Sequence, residues 1–195
     1  MDNLFESWKE FRKGKRKKPD VQIFERNLED NIFKLCKELE NKTYHHSNYT
    51  SFYIIDPKVR HIHKAYVHDR IVHHAVYRVL YPIFDKTFIY DSCANRKGKG
   101  NLFALKRLKY FTKKVSENGD RLKNKFNDKN FIFGYCLKAD IKHYFQEVDL
   151  KVLLNVVQRK ITDKQVVWLI EQILRHNADS ERERERERDG EESIY

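Results

Sequence analysis

The 195-residue chain predicts an α+β fold, helix-rich with short antiparallel strands, on three observations. Apolar residues recur at three- and four-residue spacing through much of the chain, the period of an amphipathic helix. The stretch YTSFYII, Tyr49–Ile55, instead gathers aromatic and β-branched residues and stops at Asp56-Pro57, the composition of a strand meeting a turn. Finally, 40% hydrophobic and 13% aromatic residues, with only six Gly and three Pro, supply one ordinary core and exclude a Gly/Pro-rich disordered chain.

The elements follow in order. Residues 1–20 make a basic N-terminal segment holding Lys13, Lys15, Arg16, Lys17 and Lys18, and Pro19 closes it. A phosphate-binding arm and a solvated helix end both fit that composition. From Val21 to Leu39 the residues Phe24, Leu28, Ile32, Phe33, Leu35, Cys36 and Leu39 form a core-facing stripe, so one helix is expected there. Tyr49–Ile55 and Val59–Ala65 pair as a hairpin across Asp56-Pro57-Lys58. Asp69–Leu80 sets Ile71, Val72, Ala75, Val76, Val79 and Leu80 on one helical face, with Asp69 near its start to complement the helix dipole.

SCANRKGKGN is then a basic loop, Leu102–Val115 an amphipathic helix, and 116–130 a long polar loop. Phe131–Asp140, FIFGYCLKAD, reads as an apolar strand ending in charge. Helices at about Leu150–Lys160 and Asp163–His176 complete a domain expected over 21–178. Residues 179–195 differ in kind: alternating Glu-Arg has no apolar face to bury and makes a low-complexity tail.

Charge gives the first positive clue to function. Lys and Arg number 40 against 29 Asp and Glu, a net +11. The last sixteen residues carry 4 basic and 7 acidic side chains, so the rest carries +14, 36 basic against 22 acidic. Such an excess attracts polyanions, nucleic acid foremost, although many basic domains are merely soluble. Three Cys with no C-x-x-C pair exclude a disulfide scaffold and point to a reducing cytosol, with buried thiols expected. No run approaches the roughly 20 apolar residues of a membrane span, and the N-terminus lacks an apolar secretory core. A cytoplasmic protein without a membrane partner is the expectation.

Three stretches could carry chemistry. In LKADIKHYFQEVD, Leu137–Asp149, a strand runs into Asp140, and a strand-end carboxylate either holds Mg²⁺, a cation that prefers oxygen ligands, or caps the next turn. In RHIHKAYVHDRIVHHAV, Arg60–Val76, the cations Arg60, Lys64 and Arg70 flank the hairpin arm and open the next helix. They could clamp nucleotide phosphates, or be scattered surface charge. In SCANRKGKG, Arg96, Lys97 and Lys99 interleave with Gly98 and Gly100, so backbone amides could approach phosphates closely, or the segment is a solvated turn. No P-loop motif is present.

Together and in this order, the segments resemble the reverse transcriptase family of the bacterial, group II intron-like and diversity-generating retroelement types. Arg60–Arg70, RHIHKAYVHDR, is similar to the family's fingers segment. Asp91–Gly100, DSCANRKGKG, is similar to its second conserved segment, and Lys138–Phe145, KADIKHYF, to its first catalytic palm motif. The likeness covers roughly residues 21 to 176. It implies the fingers and partial palm of a right-hand polymerase fold, and an RNA-directed DNA polymerase using two Mg²⁺ ions. Its implied partners are an RNA template, a DNA or RNA primer and deoxynucleoside triphosphates. By the same resemblance, Asp140 and the Ile141 carbonyl are metal ligands, Phe145 is the gate against the ribose 2′-hydroxyl, Arg60, Lys64 and Arg70 hold the triphosphate, and Arg96, Lys97 and Lys99 lie along the template.

The family's Tyr-x-Asp-Asp hairpin has no counterpart here, and the chain contains no Asp-Asp pair. The expectation is therefore a chain truncated before that motif, inactive alone, or one whose remaining palm and thumb come in trans. Asp149 and Asp163 sit where helix capping is the plainer role. The alternatives are a non-catalytic RNA- or DNA-binding module and an inert remnant. Nine His residues lack zinc-site spacing, and His68, His73 and His74 are expected on polar helix faces or near nucleic acid.

Overall fold

The first helix starts inside the segment that composition marks as a basic arm. In the computed structural model α1 covers Asp2–Arg12 and buries Leu4, Ser7, Trp8 and Phe11. Those positions fall three or four apart, so one face of α1 is core and the other solvated. The cations Lys13, Arg16, Lys17 and Lys18 follow on the exposed side of the turn that ends α1. The structure describes residues 1–57, 59–118, 135–141 and 144–176; the expected strand residues 131–134, the loop 119–130 and the tail from 177 lie outside them.

The stripe read as one helix is two, α2 Pro19–Arg26 and α3 Leu28–Glu40, meeting at Asn27 with φ −120° and ψ 45°. Pro19 suits the first position of α2, where a missing N–H costs nothing. The Asn31 side chain donates to the Phe24 carbonyl at 3.0 Å, satisfying an acceptor that the break leaves open. The hairpin is β1 Thr50–Ile55 against β2 Val59–Lys64, antiparallel, with Thr50 opposite Lys64 and Ile55 opposite Val59. Helix α4, Val67–Phe84, begins two residues before the predicted start and carries Pro82 in its last turn, where a lost N–H ends the ladder.

These elements, with the described residues from 144 on, make one compact unit; the other lies within Phe84–Lys142. The core of the first unit joins Leu4, Trp8, Phe11, Val21, Ile32, Leu35, Tyr44, Ile71 and Val72, with Trp168, Leu169 and Ile173 packed against it. Truncating a side chain such as Phe11, 1% exposed, is expected to cost about 3–5 kcal/mol in transfer and cavity terms. After the short α6, Tyr144–Glu147, come α7, Leu150–Gln158, and α8, residues 164–176. Asp149 accepts from the Lys151 and Val152 amides at 2.7 and 3.2 Å, and Asp163 from those of Gln165 and Val166 at 2.8 and 3.3 Å. Both carboxylates are helix caps.

The second unit contains a 3₁₀ turn at Asp85–Thr87, the basic loop, and α5, Asn101–Val115. Residues 135–141 have no regular secondary structure and are exposed, which corrects the strand expected to end at Asp140. A strand needs a hydrogen-bonded neighbour, and among the described residues the only sheet is the β1–β2 ribbon. Cys136, expected to be buried, is exposed for the same reason. The described residues are thus helix-rich α+β with one two-stranded antiparallel sheet, and none of their helices is long and apolar enough to cross a membrane.

Candidate phosphate and nucleic-acid site

In an antiparallel ladder, directly opposed residues share a face and the faces alternate along the strand. The register therefore puts Arg60 and Lys64 on one face of the ribbon, opposite Ile54 and Thr50, with the Phe52–Ile62 pair between them. The two cations are about 13 Å apart along the strand. Tyr53 and His61 occupy the other face, their rings stacked at 4.4 Å, with His63 edge-on to His61 at 4.2 Å. All six residues of β1 are exposed. Arg60, at the start of β2, is exposed as well.

Lys64 ends the ribbon and Arg70 stands in the first turn of α4, and the two meet on one oxygen. Lys64 Nζ lies 2.8 Å and Arg70 Nη2 2.5 Å from Asp20 Oδ2. The Arg70 guanidinium rests over the Phe11 ring at 4.9 Å, and Lys15 Nζ is 4.5 Å from the same ring. Burial raises the Asp20 pKa, but the hydrogen bonds from Lys64 and Arg70 outweigh it and hold the carboxyl below its usual range. Asp20 was not singled out in the sequence. Only its position one residue after Pro19, at a helix start, marks it there.

The residue before Arg70 anchors a polar network at the start of α4. Asp69 is fully buried and takes the Tyr44 hydroxyl at 2.8 Å, the Ser47 amide at 3.3 Å and His68 Nδ1 at 3.1 Å. It stands in the first turn of α4, where a carboxylate complements the helix dipole as expected, and it satisfies these donors as well. His68 Nε2 reaches Glu38 at 3.1 Å and its ring stacks on Tyr44 at 5.5 Å. Burial pulls the His68 pKa down, yet the Asp69 and Glu38 carboxylates hold it above the usual value. Burial likewise pushes Asp69 up, and the hydrogen bonds from His68 and Tyr44 bring it below the usual carboxylate value.

Beside this network His46 Nε2 lies 3.1 Å from His73 Nε2, and the His46 ring stacks on His73 at 5.1 Å and on His176 at 4.5 Å. Burial, then the charge of His46, takes His73 down to about 4. His68 and His73 therefore belong to the inner side of α4, not the polar face expected of them. His74 likewise packs edge-on against Phe11 at 5.8 Å.

In the second unit the three loop cations separate. The Arg96 side chain is 10% exposed and donates from Nε to Asp85 Oδ1 at 2.7 Å, from Nη1 to the Ile89 and Ser92 carbonyls at 3.0 and 3.3 Å, and from Nη2 to the Asp85 carbonyl at 3.0 Å. Its donors are taken up in shaping the loop. Lys99 donates to the Tyr90 carbonyl and lies over the Tyr90 and Phe103 rings at 4.3 and 5.2 Å, while Lys97 is exposed. Gly98 has φ +72°, and a Cβ there would meet nothing within 4 Å. Glycine is needed for the left-handed turn, not for room. Arg107, which the sequence did not mark, forks onto Asp91 and sits over Tyr90, Tyr110 and Phe111 at 5.1, 4.7 and 4.8 Å.

Asp140 and Ile141 are exposed, without regular secondary structure, and the Phe145 side chain lies outside the described residues. One carboxylate and one carbonyl are oxygen donors of the type Mg²⁺ takes, but they are two of the roughly six it needs. Among the described residues no three His, Cys, Asp or Glu side chains gather as metal ligands. Among the described residues the donor set is incomplete. No protein-family model and no curated protein matches this chain.

Proposed function

We propose that this chain is the nucleotide-binding fingers and first palm segment of an RNA-directed DNA polymerase. Arg60, Lys64 and Arg70 take the triphosphate of the incoming deoxynucleotide, with Phe145 as the gate against ribonucleotides. Lys97, on a loop shaped by Arg96 and Lys99, meets the template strand. Asp140 and the Ile141 carbonyl would supply two of the oxygens that hold Mg²⁺, and the chemistry such an ion would supply is charge neutralisation at a phosphoryl group. The remaining carboxylates come from a palm partner carrying the Tyr-x-Asp-Asp hairpin.

The observation that carries the reading is the meeting of Lys64 and Arg70 on one carboxylate oxygen. A strand end and a helix start converge there on a point that attracts oxyanions. The test is equilibrium binding of dATP with Mg²⁺, and separately of an RNA-template DNA-primer duplex, by the full chain. Binding of dATP that weakens about tenfold or more in Arg70→Ala, with duplex binding retained, is the expected result. The second reading is a non-catalytic nucleic-acid-binding module. It draws on the +14 charge outside the tail and on the cation–aromatic cluster around Arg107, an arrangement suited to single strands. Duplex or single-strand binding with no dATP binding decides for that module.

A further inference from the structure

Asp20 fits its two cations poorly, and the misfit is specific. Arginine presents Nε–H and Nη2–H along one edge as a fork that matches two oxygens of a carboxylate or phosphate. Asp20 fills only the Nη2 half. The Arg70 Nε is buried and has no hydrogen-bond partner among the described residues, a condition that ordinarily destabilises the fold. The same Asp20 oxygen also receives Lys64, so one atom serves two cations. Lys15 lies over the same Phe11 ring as Arg70 but donates to the Phe11 carbonyl at 2.8 Å. Two cations therefore share one carboxylate oxygen.

We infer that Asp20 is the resident occupant of a phosphate site and is displaced when a phosphate oxyanion binds. This rests on the nucleotide-binding reading above and adds a regulatory contact to it. A phosphate group has three free oxygens against the one Asp20 uses. Two complete the Arg70 fork at Nε and Nη2, and the third takes Lys64. Asp20 lies at the start of α2, on a segment separate in sequence from both cations, so it can swing away without unmaking the ribbon. The carboxylate keeps Lys64 and Arg70 neutralised until a better anion arrives, at the expense of apparent affinity, because only the open fraction of molecules binds.

The test is calorimetric titration of the full chain with inorganic tripolyphosphate and, separately, dATP, in a phosphate-free, low-salt buffer. Asp20→Asn is expected to bind tripolyphosphate about tenfold or more tighter than the parent. Asp30→Asn, which removes an exposed carboxylate of α3, is expected to stay within about twofold. Adding Arg70→Ala to Asp20→Asn is expected to abolish the gain. A thermal melt guards against misfolding: Asp20→Asn melts lower than the parent, and tripolyphosphate restores it. Unchanged or weaker tripolyphosphate binding by Asp20→Asn overturns the inference and makes Asp20 a structural strut, and so does a gain equalled by Asp30→Asn. The two ligands separate this from the nucleotide reading. Tighter tripolyphosphate binding with no preference for dATP keeps the phosphate site and removes the nucleotide assignment. Binding of dATP by the parent that Asp20→Asn leaves unchanged does the reverse.

Discussion

Replacing His73 by Gln tests the histidine stack behind the candidate site. His46 Nδ1 lies 2.7 Å from the Ser47 carbonyl, so it carries a hydrogen, and Nε2 of the neutral ring accepts from His73. A proton added to His46 Nε2 sets two N–H groups against each other, and one added to His73 must enter a buried ring. His46 faces His73, His176, His68 and Asp69, while His73 faces His46, His74 and Asp69. Burial first, opposed in part by Asp69, leaves His46 below its usual pKa, and His73 falls to about 4.

The sign follows from linkage. A histidine whose folded pKa is depressed contributes stability above its unfolded pKa, near 6.5, and that stability is lost as pH falls toward the folded pKa. For His73 alone the loss between about pH 7 and about pH 4.5 is on the order of 2–3 kcal/mol. His68, held above its usual value, gains its contribution as pH falls to about 6.5 and is constant below. Asp69 and Asp20, held below theirs, lose their contributions only below about pH 4. The window from about 6 to 4.5 therefore isolates the depressed histidines.

Both tryptophans, Trp8 and Trp168, pack in this unit's core, so urea unfolding followed by tryptophan fluorescence reports on it. His73→Gln should lose about 2 kcal/mol less than the parent across that window. Parallel pH curves for the two proteins would falsify the account.

Tyr44→Phe removes one of three donors to the buried Asp69. It should lower stability by about 1.5–3 kcal/mol at neutral pH, the worth of a hydrogen bond to a charged group, and a urea midpoint within error of the parent refutes this. Arg96→Lys keeps the charge but not the fork, and should raise amide exchange across residues 85–99 by about tenfold or more; unchanged protection there means that Arg96 does not shape the loop. Lys97→Glu should weaken nucleic-acid binding and lower the salt slope by about one or more, whereas an unchanged slope places the phosphate contacts elsewhere.

The sequence by itself determined the periodic elements. Composition and the Asp56-Pro57 turn located the hairpin within a residue, and spacing located α4 and α5 to within four, because each helix has a continuous pattern of one period. It also marked Asp149 and Asp163 as caps, since capping is set by the residue and its immediate neighbours. It brought Lys64 and Arg70 to notice, but not Asp20, whose partners stand 44 and 50 residues away. Nor could it show that residues 2–12, just ahead of the lysine cluster, bury a tryptophan and a phenylalanine, or that His68 and His73 turn inward. Those outcomes depend on which face of α4 meets Tyr44 and His46, and side-chain type does not encode the facing element. The strand expected at Asp140 shows the same limit from the other side. A helix closes its hydrogen bonds within itself, whereas a strand exists only where a neighbour accepts them, and that is a property of the tertiary structure.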